Sequence, residues 1–213
     1  MSTLLQKPNA EQIRSACERF DRENELVEQS LAELFLKYPD NSDLRHVMLK
    51  VTVVNSLYHT CIFALDAVAR HIHTHHEEID SALLAGLPEI VDKIAKIKVN
   101  GKTHNFFSFA SKYASWHNSN AYPIYDSHVD NYLWTLQKQS PFTGFLHPEL
   151  WEYPKFHRIV TAFRDFHGLS SFTFKEIDKF LYYEGAPPPK AQLEEIPTGP
   201  GAFDFFPAQE LSS

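Results

Sequence analysis

No apolar run in the 213 residues approaches the roughly 18 positions a membrane span requires, and the first ten residues carry no basic-then-apolar leader pattern. The expectation is a soluble protein, neither secreted nor inserted in a membrane. There are 2 cysteines, Cys17 and Cys61, too few and too far apart for an iron–sulfur cluster or a cysteine-based zinc site, so the reading is reducing cytoplasm. Glycine numbers 7, and repeated short alternating runs are absent, which argues against a sandwich or barrel. Acidic residues are missing from one long window. Over 93–125 there is no Asp or Glu, while Lys93, Lys96, Lys98, Lys102 and Lys112 all fall there.

That window matters because the formal net charge of -7 would otherwise count against a nucleic-acid partner, phosphate binding resting on Lys and Arg. Beyond Tyr183 the chain carries Glu184, Glu194, Glu195, Asp204 and Glu210 against Lys190 alone, so much of the negative charge belongs to a tail. With 43% hydrophobic residues the chain can bury one sizeable core. We therefore expect one mainly α domain over 1–184 and a Pro- and Gly-rich disordered tail over 185–213.

Apolar residues recur at helical spacing through most of that domain. Residues 11–38 read as one or two helices, with Ile13, Cys17, Phe20, Leu26, Leu31, Leu34 and Phe35 on an apolar side. Ser42 or Asp43 caps a long central helix over 44–73, in which Val47, Val51, Val54, Tyr58, Cys61, Ile62, Leu65 and Val68 fall near one face. Two short helices follow over 79–98, split near Gly86 to Pro88, and Asn100-Gly101 is a turn. An aromatic-rich helix covers 106–116. Asp126 or Ser127 caps another running to about 137, then come helices over about 154–167 and over 173–183, the last opened by a Thr173 to Glu176 capping box.

The most informative stretch is Tyr122-Pro123-Ile124-Tyr125-Asp126-Ser127-His128-Val129. Pro123 keeps its neighbour extended, so Asp126 falls at a helix start, where exposed N–H groups and the helix dipole favour a carboxylate. The plain reading of such an Asp is an N-cap. The chemical reading follows from what surrounds it.

The segment resembles the Val-Asp-Thr-His-Val sequence of helix-hairpin-helix DNA glycosylases, with Ser127 in place of Thr, and the similarity extends upstream. Phe107-Ser108-Phe109-Ala110-Ser111-Lys112-Tyr113-Ala114 resembles the helix leaving the hairpin, and Lys50-Val51-Thr52-Val53-Val54-Asn55-Ser56-Leu57-Tyr58 resembles the earlier helix whose end directs Gln or Asn into DNA. The resemblance implies a duplex-DNA-binding protein that recognises or excises a flipped base, with no cofactor and no metal. It implies Asp126 as the catalytic carboxylate, His128 as its motif neighbour and Asn55 near the base. Tyr58, Trp116 and Tyr125 are the aromatic residues to hold that base. Lys98, Lys102 and Lys112 are the expected phosphate contacts.

Two departures shape the expected chemistry. The family's Gly-rich hairpin is represented by Val99-Asn100-Gly101-Lys102-Thr103, with a single Gly. The position of the family's nucleophilic lysine falls near Phe106, Phe107 and Ser108, with Lys112 about a turn later, so excision without strand cleavage is expected. Two alternatives stay open: a non-enzymatic DNA- or protein-binding descendant in which Asp126 is only a cap, and a helical interaction protein with no nucleic-acid role.

Two further patterns invite a functional reading. His71-Ile72-His73-Thr74-His75-His76 has metal-ligand spacing, yet histidines near a helix C-terminus also serve the dipole, and that is the reading adopted. Phe203, Phe205 and Phe206 in the tail form a candidate docking peptide for a protein partner. DNA binding would put the protein at the nucleoid within the cytoplasm.

Overall fold

The computed structural model describes residues 5–186, and these are mainly helical. Helix α1 (Ala10–Lys37) opens on a reciprocal cap. The Asn9 side chain accepts from the N–H groups of Glu11 and Gln12 at 3.0 Å, and Gln12 Oε1 accepts from Asn9 N–H at 3.1 Å. The helix kinks at Asn24, whose side-chain amide donates to the Phe20 carbonyl.

The single long helix expected over 44–73 is two helices, α2 (Leu44–Leu57) and α3 (Leu65–Thr74). Asn55 is the reason. Its Oδ1 accepts from Ile62 N–H and from the Thr60 hydroxyl, both at 2.8 Å, and its Nδ2 donates to the Ile62 carbonyl at 3.3 Å. The side chain thus offers the backbone an alternative to helical bonding, and the loop it closes passes through left-handed conformations at His59 and Cys61, φ 49° and 55°. No Gly or Pro lies between Tyr58 and Leu65 to announce the break.

Helices α4 (His76–Ala85) and α5 (Glu89–Ala95) follow the expected split. The chain then departs from the sequence expectation by forming a two-stranded antiparallel hairpin, β1 (Lys96–Val99) and β2 (Lys102–Asn105), with Val99 opposite Lys102. Asn100 and Gly101 both have positive φ, 51° and 78°, as a two-residue turn matching strand twist requires. Every residue of β2 is exposed.

Helix α6 (Phe107–His117) is the centre of the molecule. Residues 109–115 are buried without interruption, as expected of a helix packed on all sides, and α6 touches α1, α2, α4 and α5. Helix α7 (Ser127–Gln139), a short 3-10 turn (His147–Trp151), α8 (Tyr153–Phe166) and α9 (Phe174–Glu184) complete the described residues. The Thr173 to Glu176 capping box is present, α9 lies against α1 and α7, and one continuous hydrophobic cluster runs through all nine helices of the described residues. Val47 and Val54 are fully buried in it and Leu65 packs against it.

Gly185 ends α9 against the start of α7. A Cβ there would lie 1.9 Å from the His128 carbonyl oxygen, so only glycine fits this crossing. No helix among the described residues is long and apolar enough to cross a membrane. Phe203, Phe205 and Phe206, with nearly all of the expected tail, lie outside the described residues.

Candidate active site

Four parts of the chain enclose a cavity of about 520 Å³: the middle of α1, the end of α2, the first two turns of α6 with residues 124–128, and one face of α9. That volume is in the range of small-molecule sites. Its walls carry Phe20, Tyr58, Tyr125 and Tyr182, and its charged groups are Glu28, Lys112, Asp126, Lys175, Asp178 and Lys179, with His128 at one edge.

Asp126 enters from the N-terminus of α7. Its backbone is extended, and its Oδ1 accepts from the N–H groups of His128 and Val129 at 2.9 and 3.0 Å. None of the described hydrogen bonds takes its Oδ2, and the residue lines the cavity. Asp126 is therefore an N-cap and a cavity carboxylate together. His128 sends its Nδ1 to the Tyr182 carbonyl at 3.0 Å and packs on the Tyr182 ring, which ties α7 to α9.

Lys112 is placed otherwise than on a phosphate-facing surface. It is 4% exposed, and its Nζ donates to Ser108 Oγ at 2.8 Å and to the Tyr125 carbonyl at 3.1 Å, with the Tyr58 ring 5.6 Å away. The Tyr125 backbone is held in turn, since Tyr125 N–H donates to Ser111 Oγ at 3.0 Å, while the Ser111 hydroxyl lies 3.0 Å from the Ser108 carbonyl and 3.3 Å from that of Tyr125. Among the described ion pairs none includes Lys112. Burial pushes its amine below the ordinary lysine range, against the opposing pull of Asp126 and Asp178.

Asp178, on α9, is a site residue that sequence reasoning missed. Its Oδ1 is buried and has no hydrogen-bond partner. Burial pushes its carboxyl well above the carboxylate range, and Asp126 adds to the effect while Lys112 opposes it. A signal was present: Asp178 lies four residues after Phe174 and three before Leu181, both buried, so it falls on the inner stripe of the helix. The two neighbouring lysines are engaged in ion pairs with α1, Lys175 with Glu28 and Lys179 with Asp21.

The remaining expected site residues divide. Tyr58 and Tyr125 line the cavity. Tyr125 is braced from behind, its hydroxyl donating to Asp130 Oδ2 at 2.9 Å, while His147 and Trp151 also bond that carboxylate. Trp116 stands outside the lining and supports it, its indole N–H donating to Tyr58 Oη at 2.9 Å. Asn55 does not line the cavity; both ends of its amide are spent on the loop after α2. Lys98 and Lys102 are exposed on the hairpin, which joins α6 through Phe106 N–H donating to the Ala95 carbonyl at 2.9 Å. The histidine run forms the α3–α4 corner. Its rings bond backbone carbonyls, His71 that of Lys93, His73 that of Asn41, His75 that of His71 and His76 that of His73.

Residues 12–121 match a family model described as HI_0787_N, an N-terminal domain. An uncharacterized protein of Haemophilus influenzae is 34% identical over 146 residues, covering 68% of this chain and 69% of the relative. No solved structure matches the chain.

Proposed function

The chain belongs to the HI_0787_N family, and from the chemistry of its cavity we propose a DNA-glycosylase-like protein that takes a base flipped from duplex DNA and cleaves its N-glycosidic bond. The observation that carries this reading is the meeting of one lysine amine and one helix-capping carboxylate, Lys112 and Asp126, in a single aromatic-walled cavity. The resemblance of residues 122–129 to the glycosylase motif supports it independently.

In this mechanism the C1′–N bond breaks and its electron pair leaves on the base. The Asp126 carboxylate, fixed by two backbone N–H groups, stabilises the positive charge that grows on the sugar. Tyr58 and Tyr125 give the unstacked base faces to lie against. Burial lowers the Lys112 amine toward its deprotonated form; in that form its lone pair bonds to C1′ and the resulting ammonium passes a proton to the Asp126 carboxylate. The C1′–O4′ bond then breaks, its electron pair goes to O4′, which takes that proton from Asp126, and a protonated imine between C1′ and Lys112 remains. The sequence expectation is excision without lyase chemistry unless Lys112 turns into the pocket; Lys112 lines the cavity, and imine chemistry through it is part of this proposal on that ground. Lys98 and Lys102, exposed on the hairpin, supply phosphate contacts in the same reading.

The test is release of free base from duplexes carrying alkylated, oxidised or deaminated bases, comparing wild type with Asp126→Asn at equal folded fraction. Asn also caps helices, so the variant should lose no more than about 1 kcal/mol of stability while base release falls a hundredfold or more. Equal rates would reduce Asp126 to a cap. That outcome would favour the second reading, a non-enzymatic binding descendant, for which the two cap hydrogen bonds already speak.

A further inference from the structure

Two tyrosines meet the base in the excision reading, and their hydroxyl groups are bonded in opposite senses. The Tyr125 hydroxyl is spent behind the wall, where it donates to Asp130 Oδ2 at 2.9 Å, and the same carboxylate is bonded by His147 Nε2 at 2.8 Å and Trp151 Nε1 at 3.0 Å. Phe107 and Phe156 pack against the Tyr125 ring, with centroids 4.7 and 5.4 Å away. Tyr125 therefore has only its ring left to offer. The Tyr58 hydroxyl accepts instead: Trp116 Nε1–H donates to its oxygen at 2.9 Å, and among the described hydrogen bonds the Tyr58 hydroxyl donates none. An indole N–H can only donate, so the Tyr58 proton turns away from Trp116. Trp116 stands outside the cavity lining and Tyr58 is part of it, which leaves the cavity as the side the proton faces. The phenol feels the charges of Glu28, Asp178 and Asp126, all of which line the cavity, and is bonded to none of them. Burial first, and the Glu28 charge second, push it above the ordinary tyrosine range, so the proton stays on the oxygen. Trp116 is itself held, with Lys175 Nζ 4.1 Å from its ring and the Phe35 ring 6.0 Å away.

Resting on the excision reading, we infer that Tyr58 is a specificity-determining residue of this site. Its hydroxyl donates a hydrogen bond to an acceptor on the edge of the flipped base, a carbonyl oxygen or an unprotonated ring nitrogen, and Trp116 is the positioning residue that aims it. The two tyrosines thus take different parts, Tyr125 that of a ring face and Tyr58 that of a donor. An enclosed hydroxyl without an acceptor is unfavourable, and a base that brings the acceptor relieves it. A base that lacks one at that place leaves the hydroxyl unpaired and is released more slowly.

The test is single-turnover release by wild type, Tyr58→Phe and Trp116→Phe from duplexes carrying uracil, hypoxanthine, 8-oxoguanine or ethenoadenine. Each base is set beside analogues in which one carbonyl oxygen is replaced by hydrogen or one ring nitrogen by C–H, so that the two kinds of acceptor are read separately. Differences in intrinsic bond strength between a base and its analogue are common to all three proteins and cancel in the comparison. For one replacement the loss should be about tenfold or more greater in wild type than in Tyr58→Phe, with Trp116→Phe between them. A merely structural defect would slow every substrate alike and leave these ratios unmoved. Equal ratios in wild type and Tyr58→Phe, with the variant shown folded by thermal melting, would overturn the inference while leaving excision standing. Release of no base at all by wild type would remove the excision reading and this inference together.

Discussion

Lys50 and His117 occupy a second buried polar cluster, away from the cavity, and there a protonation state decides stability. Lys50 is fully buried and its Nζ donates to the carbonyls of Tyr38 and Asp40, to Asn41 Oδ1, and to His117 Nε2 at 3.3 Å. A ring nitrogen that accepts from an ammonium group cannot also hold a proton. Burial and the Lys50 charge push His117 down to about 3. In the unfolded chain the same ring titrates near 6.5, so between these values the unfolded state binds the extra proton. The stability contribution is complete above about pH 6.5 and is lost as pH falls, by up to about 1.4 kcal/mol per pH unit. Urea unfolding of wild type and His117→Gln between pH 4.5 and 7.5 should show a shallower slope for the variant. Identical slopes would mean that His117 does not stay neutral in the fold. The importance of Lys50 was invisible in the sequence, because two of its partners are backbone carbonyls of the α1–α2 loop and another, His117, lies 67 positions downstream. Asp126, by contrast, announced itself through Pro123 before it and an apolar helix after it, since a cap is specified by local chain conformation.

At the scale of elements, the helices that were legible are those whose start carries a side-chain cap or whose end meets Gly or Pro. The cap of α7 and the capping box of α9 are examples, and both elements start within a residue of expectation. The break after α2 was not legible, because it depends on Asn55 reaching seven residues ahead to Ile62. A resemblance that assigned Asn55 to the base therefore met a residue already occupied. Asn55→Ala should loosen the segment between α2 and α3 and cost about 1–3 kcal/mol, since it leaves the Ile62 backbone groups without their partner. Hydrogen exchange at Ile62 N–H reads this directly, and unchanged protection would contradict it. The hairpin was seen only as a turn, because strands of four residues are too short for a period to emerge. If it meets DNA, Lys98→Glu with Lys102→Glu should weaken binding and make the salt dependence shallower by about 2 in slope, near 0.9 for each lost phosphate contact. An unaltered slope would send the hairpin back to solvent.

For the molecule as a whole, the lysines of the acid-free window part company: Lys93 and Lys96 pair with Glu78 and Asp92. Lys98 and Lys102 stay on an exposed hairpin, whereas Lys112 belongs to the most enclosed helix of the fold. A one-dimensional charge count cannot make that distinction, because it depends on α1, α2, α7 and α9 closing around α6. The same closure brings Asp178, more than fifty positions downstream, into the cavity with Asp126, which is why the carboxyl pair was missed. The central claim is thus a claim about Lys112: a buried amine that lines the cavity, is pushed below the ordinary lysine range and is able to bond to a sugar carbon. Borohydride reduction during reaction with a lesion-bearing duplex tests it most directly, because it converts an imine into a stable amine. The account predicts a protein–DNA adduct that maps by peptide mass spectrometry to Lys112 and disappears in Lys112→Gln. Base release without any trapped adduct, or an adduct that persists in Lys112→Gln, would contradict it.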